Sequence, residues 1–140
     1  MATTRLEANQ KIPTLTKAIT QDKIDQFESC GVMQHENIHN SPEMAARRIG
    51  TAFPIASGRM EMAFVSESLR KFFGPNVFNY SGTLNLKFLR PVKGGDTLTV
   101  GGAVKQLQPV EKGTLVVVEV YCENQNGDKT AVGEGTAIVP

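Results

Sequence analysis

The chain has no tryptophan, two cysteines, two histidines and a formal charge of only +1 over 140 residues. Each scarcity excludes something. Cys30 and Cys122 form no CxxC pair, which argues against the usual structural zinc site. Two free thiols in a reducing compartment are expected rather than one disulfide. With 15 Lys+Arg against 14 Asp+Glu, the chain lacks the broad positive field of a nucleic-acid binder. No apolar run approaches the ~20 residues of a membrane span. The opening residues, MATTRLEANQKIP, hold no apolar stretch of the secretory kind. The expectation is a soluble, cytoplasmic chain with no membrane or nucleic-acid partner, no metal and no cofactor.

What is present is ordinary globular composition: 40% hydrophobic and 21% charged residues. A chain this long is one domain and buries roughly 68–70% of its unfolded surface, so it needs no staple. Residues 1–11 are polar and aperiodic and are expected as a flexible arm, leaving 12–140 as a single domain. Alternation from Ile12 to Ile19 predicts a short strand, with Pro13 near its start, where proline is tolerated. Thr20 can cap a helix over Gln21–Ser29, with Asp22 in the favourable first turn. Residues 30–41 have no periodicity and hold both histidines, His35 and His39. Ser41-Pro42 then opens a second short helix, and Gly50 stops it.

The longest helical pattern is Gly58 to Phe73, with Met60, Phe64, Leu69 and Phe72 on one stripe. Gly74-Pro75 ends it. From Asn79 onward the pattern predicts four consecutive antiparallel strands, with turns at Gly94-Gly95-Asp96, Glu111-Lys112-Gly113 and Asn126-Gly127. In the last strand Ala131, Gly133, Gly135 and Ala137 share one face. Small side chains there allow the long helix to approach the sheet closely. The fold class is α+β: an antiparallel sheet with a long helix against it.

The segment Gln34-His35-Glu36-Asn37-Ile38-His39-Asn40-Ser41-Pro42-Glu43-Met44-Ala45 aligns without a gap to a pattern close to D-x-N-P-x-H-x-D-P-x-x-A. Ile55-Ala56-Ser57-Gly58 follows where that pattern is followed by I-A-H-G. Leu86 to Val92, then Gly95-Asp96, supplies a third matching stretch. These motifs resemble those of the MaoC-like, (R)-specific enoyl-CoA hydratase family. The likeness runs from about Leu15 to Val139. It implies a hot-dog fold, in which the sheet wraps around the central helix, and a homodimer or higher homo-oligomer acting on an acyl thioester. The departures are as specific as the matches. The family's catalytic aspartate falls on Gln34, its Asn-Pro pair on Glu36-Asn37, its second aspartate on Ser41, and the histidine before the glycine on Ser57.

Hydration of an enoyl thioester moves a proton at each end of the double bond and places negative charge on the carbonyl oxygen. It needs an acid–base group and an oxyanion donor. The resemblance assigns these to His39 and to the backbone N–H of Gly58, at the positive end of a helix. Gln34 can orient a water but cannot take its proton. Ser57, Arg59, Glu36 and Asn37 are expected to contact substrate. The plain alternative for His39 is a loop histidine capping a neighbouring helix, and for Ser57 a simple helix cap. Two other functions stay open. One is a hot-dog thioesterase using a helix carboxylate, Glu61 or Glu67. The other is a non-catalytic hot-dog protein that binds a ligand or partner.

Overall fold

Local capping chemistry sets the helices. The computed structural model describes residues 5–30 and 35–140; Gln34 lies outside the described residues. Helix α1 (Gln21–Ser29) begins where the Thr20 side chain accepts from the Lys23 N–H. Helix α2 (Pro42–Ile49) begins where Ser41 accepts from the Met44 N–H, and it ends on Gly50 in the left-handed region, φ 71°. Helix α3 (Gly58–Phe73) is the expected long helix.

A fourth helix, α4 (Pro75–Ser81), was not expected from the sequence, and its last turn covers residues from Asn79 that were expected as β. Gly74, at φ 86°, turns the chain out of α3. Pro75 then takes the first helical position, where a missing N–H costs nothing. The Phe78 ring stacks on Phe73 with centroids 6.3 Å apart, which anchors the short helix on its apolar side. That anchor is a contact between rings on two different helices, which the sequence pattern does not display.

Five strands follow one antiparallel sheet: β1 (Leu15–Ala18), β2 (Thr83–Phe88), β3 (Thr97–Val110), β4 (Gly113–Glu123) and β5 (Lys129–Val139). Their order is β1-β3-β4-β5-β2. The expected consecutive pairing therefore holds for β3, β4 and β5, whereas β2 pairs with β5. The reason is the connection over residues 89–96, which is a crossing rather than a hairpin. Leu89 N–H donates to Thr130 O, Ala56 N–H to Val92 O, and Gly95 N–H to Ile19 O, carrying the chain from β5 to the β1 side. Residues Asn9 to Lys11, expected within a flexible arm, are tied to β3: Asn9 N–H donates to Val104 O, and Val104 N–H to Gln10 O.

Helix α3 lies on one face of this sheet. Val65 and Leu69 are fully buried with Val100, Val104, Val116, Val118, Val120 and Ala131. The glycine in β5 matters here. A Cβ on Gly135 would stand 2.5 Å from Leu69 Cδ1, so only glycine lets the helix sit this close. A second cluster, Ile19, Ile24, Ala56, Met60, Val92 and Leu98, packs the start of α3 against α1 and the 89–96 crossing.

Asp96 locks that crossing. Its carboxylate accepts from the Lys93 N–H at 3.0 Å, the Lys93 ammonium at 3.2 Å and the Gln125 amide at 3.0 Å. Burial pushes its pKa up, but these donors outweigh burial and hold it below the usual carboxylate value. A lowered folded pKa contributes stability above the unfolded value of about 3.9, and that contribution is lost as pH falls through the folded value. Asp96→Asn is expected to cost roughly 1.5–3 kcal/mol near neutrality, in line with hydrogen bonds to a charged group. It should also flatten the acid-side decline of the urea midpoint. An unchanged decline would show that Asp96 does not carry it.

Candidate active site

Residues 35–41 are folded around the Asn37 side chain. Asn37 is buried; its Oδ1 accepts the His39 N–H at 2.8 Å, and its own amide donates to His35 O at 2.8 Å. Gln21 Nε2, from α1, donates to His39 O at 2.8 Å. These bonds fix the His39 backbone. The ring is fixed by a non-local bond, Nδ1 to the carbonyl oxygen of Ile55 at 2.7 Å. A carbonyl only accepts, so Nδ1 carries the proton and, in the neutral ring, Nε2 carries the lone pair. Ile55 N–H in turn donates to Ile38 O at 3.1 Å, which ties the histidine loop to the segment entering α3.

A cavity of about 750 Å³ opens at this junction. Its wall includes His39, Ser57, Gly58, Arg59 and Glu61, together with apolar Ile49, Ile55, Met62, Phe88 and Leu89. Gly58 is the first residue of α3, so its N–H is one of the donors a helix leaves unused. Among the described residues it makes no backbone hydrogen bond outside the helix. A Cβ on Gly58 would stand 2.6 Å from the tip of the Phe88 ring, so any larger residue here must displace that ring. The site therefore offers an imidazole lone pair and a helix-start N–H on the wall of one mostly apolar space. Such a pairing can move a proton beside a polarised carbonyl.

The expected contacts divide. Ser57 is buried on the cavity wall, and its Oγ makes no cap bond and has no partner. Arg59 lines the cavity and is held by Glu28 Oε2 at 3.1 Å. Glu36 and Asn37 are not part of the cavity wall. Glu36 is exposed and accepts from Ser41 Oγ at 2.6 Å, supporting the α2 cap, while Asn37 orients His39. Both are occupied with local backbone and cap geometry, the work short polar side chains do in turns. Of the two carboxylates considered for a thioesterase, Glu67 is bound by Lys17 at 2.6 Å and Lys71 at 3.1 Å, away from the cavity. Those two lysines hold its pKa below the ordinary value. Among the described residues, no group of three or more His, Cys, Asp or Glu is positioned to hold a metal ion.

Glu61 is the residue that motif reasoning passed over as a partner for His39. It follows Gly58 by one helical turn, is 3% exposed and stands on the cavity wall. Its Oε1 accepts from Thr130 Oγ1 at 2.7 Å. Burial raises its pKa, and the Thr130 bond only partly opposes this. Beneath it, the Cys122 thiol is pushed up to about 12 by burial and by the Glu61 charge. The sequence named Glu61 only as a thioesterase carboxylate, because its burial against Thr130 of β5 is not visible along the chain.

Comparison with known proteins gives the family and the fold. Residues 4–126 match the family described as MaoC like domain. The chain has the hot-dog fold of the (R)-hydratase of A. caviae involved in PHA biosynthesis, at 22% identity and TM-score 0.77, covering 99% of this chain and 100% of that one. The (R)-hydratase PhaJ1 of Pseudomonas aeruginosa, in its unliganded form, is 26% identical with TM-score 0.75, over 96% and 83% of the two chains. A chain of the ChsH1-ChsH2 complex of Mycobacterium tuberculosis is 18% identical with TM-score 0.75, over 96% and 98%. No curated protein matches the chain. Among the described residues, no helix is long and apolar enough to cross a membrane.

Proposed function

Because the chain belongs to the MaoC-like domain family, we propose that it is a hydratase or dehydratase acting on an acyl thioester, with His39 as acid–base group and the Gly58 N–H as oxyanion donor. One observation carries this reading. The Nδ1 bond to Ile55 O leaves the His39 Nε2 lone pair available on the same cavity wall as the start of α3. In the hydration direction, Nε2 takes a proton from water as the water oxygen bonds to the β-carbon. The π electrons move toward the carbonyl, whose oxygen the Gly58 N–H holds. Gln34, where the family has its aspartate, serves at most to orient the water. The (R)-hydratase relatives support an (R)-3-hydroxyacyl product. The apolar wall suits an acyl chain, and Arg59 suits a negatively charged part of the carrier. The assay is hydration of crotonyl-CoA and of a longer enoyl-CoA by the wild-type protein, with chiral analysis of the product. No turnover of either, by a folded protein, would overturn the reading.

The smallest active species is a homodimer. Five large hydrophobic side chains stand exposed among the described residues, and four of them, Ile49, Met62, Phe88 and Leu89, line the cavity. An apolar rim of this kind calls for a cover, and a second copy of this chain supplies one while closing the cavity. Sedimentation at micromolar concentration is expected to give a dimer. Met62→Lys is expected to shift the equilibrium toward monomer and to lower activity in parallel. A fully active monomer would overturn this.

A further inference from the structure

We propose that Glu61 is a second catalytic acid–base residue of this site, supplying the proton at the α-carbon that His39 cannot deliver while it is accepting one from water. The inference rests on the hydratase reading above and gives that reaction its missing partner.

The geometry comes first. Glu61 and His39 stand on the wall of one cavity, with Gly58 one helical turn before Glu61. One carboxyl oxygen, Oε1, is held by Thr130. Among the described residues the other oxygen, Oε2, has no hydrogen-bond partner, yet the only fully buried side-chain polar atoms without a partner are Glu28 Oε1 and Ser57 Oγ. Glu61 lines the cavity, and Oε2 is the carboxyl oxygen that Thr130 does not hold. A buried carboxyl aimed at an apolar space is costly unless it works there.

Thr130 makes both protonation states tolerable. Its hydroxyl lies 2.7 Å from Glu61 Oε1 and 3.3 Å from the backbone oxygen of Cys122. When Glu61 is ionised, the single O–H donates to Oε1. When Glu61 is neutral with its proton on Oε2, Oε1 is a carbonyl oxygen and still accepts that O–H. Neither state strands a buried polar group. Desolvation favours the neutral acid, as a proton donor requires. Among the described residues, Glu61 is beside the Cys122 thiol on β4, held neutral, and Thr130 on β5, and it shares the cavity wall with His39, Arg59 and Arg90.

The step balances. Water gives a proton to His39 Nε2 as its oxygen bonds to the β-carbon, and the carbon–carbon π bond becomes an enolate held at the Gly58 N–H. Glu61 O–H then gives its proton to the α-carbon, leaving a carboxylate. The imidazolium proton returns to that carboxylate through solvent and restores both groups. Nothing is oxidised or reduced.

The test compares wild type, Glu61→Gln, Glu61→Asp and His39→Ala in crotonyl-CoA hydration across pH. Glutamine keeps the size and can still accept from Thr130. Glu61→Gln is expected to lower kcat about 10²-fold, at the lower end of general acid–base contributions, with KM changed only a few-fold. The wild-type rate should fall as pH rises and Glu61 ionises. That alkaline limb should vanish in Glu61→Gln and persist in Glu61→Asp, which should also recover part of the rate. Should the glutamine variant melt early, the limb in Glu61→Asp decides: a shifted limb supports the proposal, an unmoved one overturns it. Wild-type hydration that His39→Ala abolishes but Glu61→Gln leaves within twofold would overturn the role of Glu61 and spare the hydratase reading. Absence of wild-type hydration would remove both. Release of free CoA from a saturated acyl-CoA, lost in Glu61→Gln, would overturn the proposal by assigning the carboxylate to thioester hydrolysis.

Discussion

His39→Ala is expected to lower kcat for enoyl-CoA hydration by about 10²–10⁴-fold, the usual contribution of a positioned acid–base group. KM should change by no more than a few-fold, because the imidazole acts on water rather than on the acyl chain. The fold should survive. The backbone of His39 is held by Asn37 Oδ1 and by Gln21 Nε2, and neither bond involves the ring. The ring's own bond, to Ile55 O, is to a backbone atom at a cavity wall, where water can replace it. Steady-state kinetics and a thermal melt on the same preparation check both halves. A variant that retains a third or more of the wild-type rate would remove His39 from the chemistry and leave it as a loop tie.

Gly58→Pro is expected to reduce kcat by about 10²–10³-fold relative to Gly58→Ala, which matches the loss of one oxyanion donor. Proline is well suited to this deletion. Position 58 is the first of α3, where proline is favoured and its missing N–H breaks no helical bond. Ser57 is already extended, at φ −72° and ψ 151°, as a residue before proline should be. Both substitutions introduce a Cβ toward the Phe88 ring, so both are made in a Phe88→Leu background that relieves the contact. The two variants then differ chiefly in the N–H. Equal rates would mean that another donor holds the carbonyl oxygen, and the start of α3 would be a structural feature only.

Much of this protein was determined by short stretches of sequence. The bounds of α1, α2 and α3 follow from Thr20, from Ser41-Pro42 with Gly50, and from Gly74, each acting within a few residues of its helix end. The resemblance carried by His39, Ile55-Ala56 and Gly58 pointed to the right fold and family, because those residues lie close enough along the chain to form a readable pattern. Gly135 was legible as a close-packing position from the run of small residues on one face of β5.

Only the tertiary structure decided the rest, and the reason is sequence distance. The pairing of β2 with β5 joins Thr83–Phe88 to Ala131–Thr136, and no local turn specifies it. Helix α4 is anchored by the stacking of Phe78 on Phe73, a contact that no local pattern specifies. Glu36 and Asn37 replace the motif's Asn-Pro pair, and their hydrogen bonds serve Ser41 and His39. The state of the His39 ring is set by a carbonyl 16 residues away, and Glu61 is held by a hydroxyl 69 residues away. A motif records which residue types recur at a spacing. Whether a carboxyl ends in water or against a cavity depends on what the folded chain brings over it, and burial is a property of the whole packed sheet and helix.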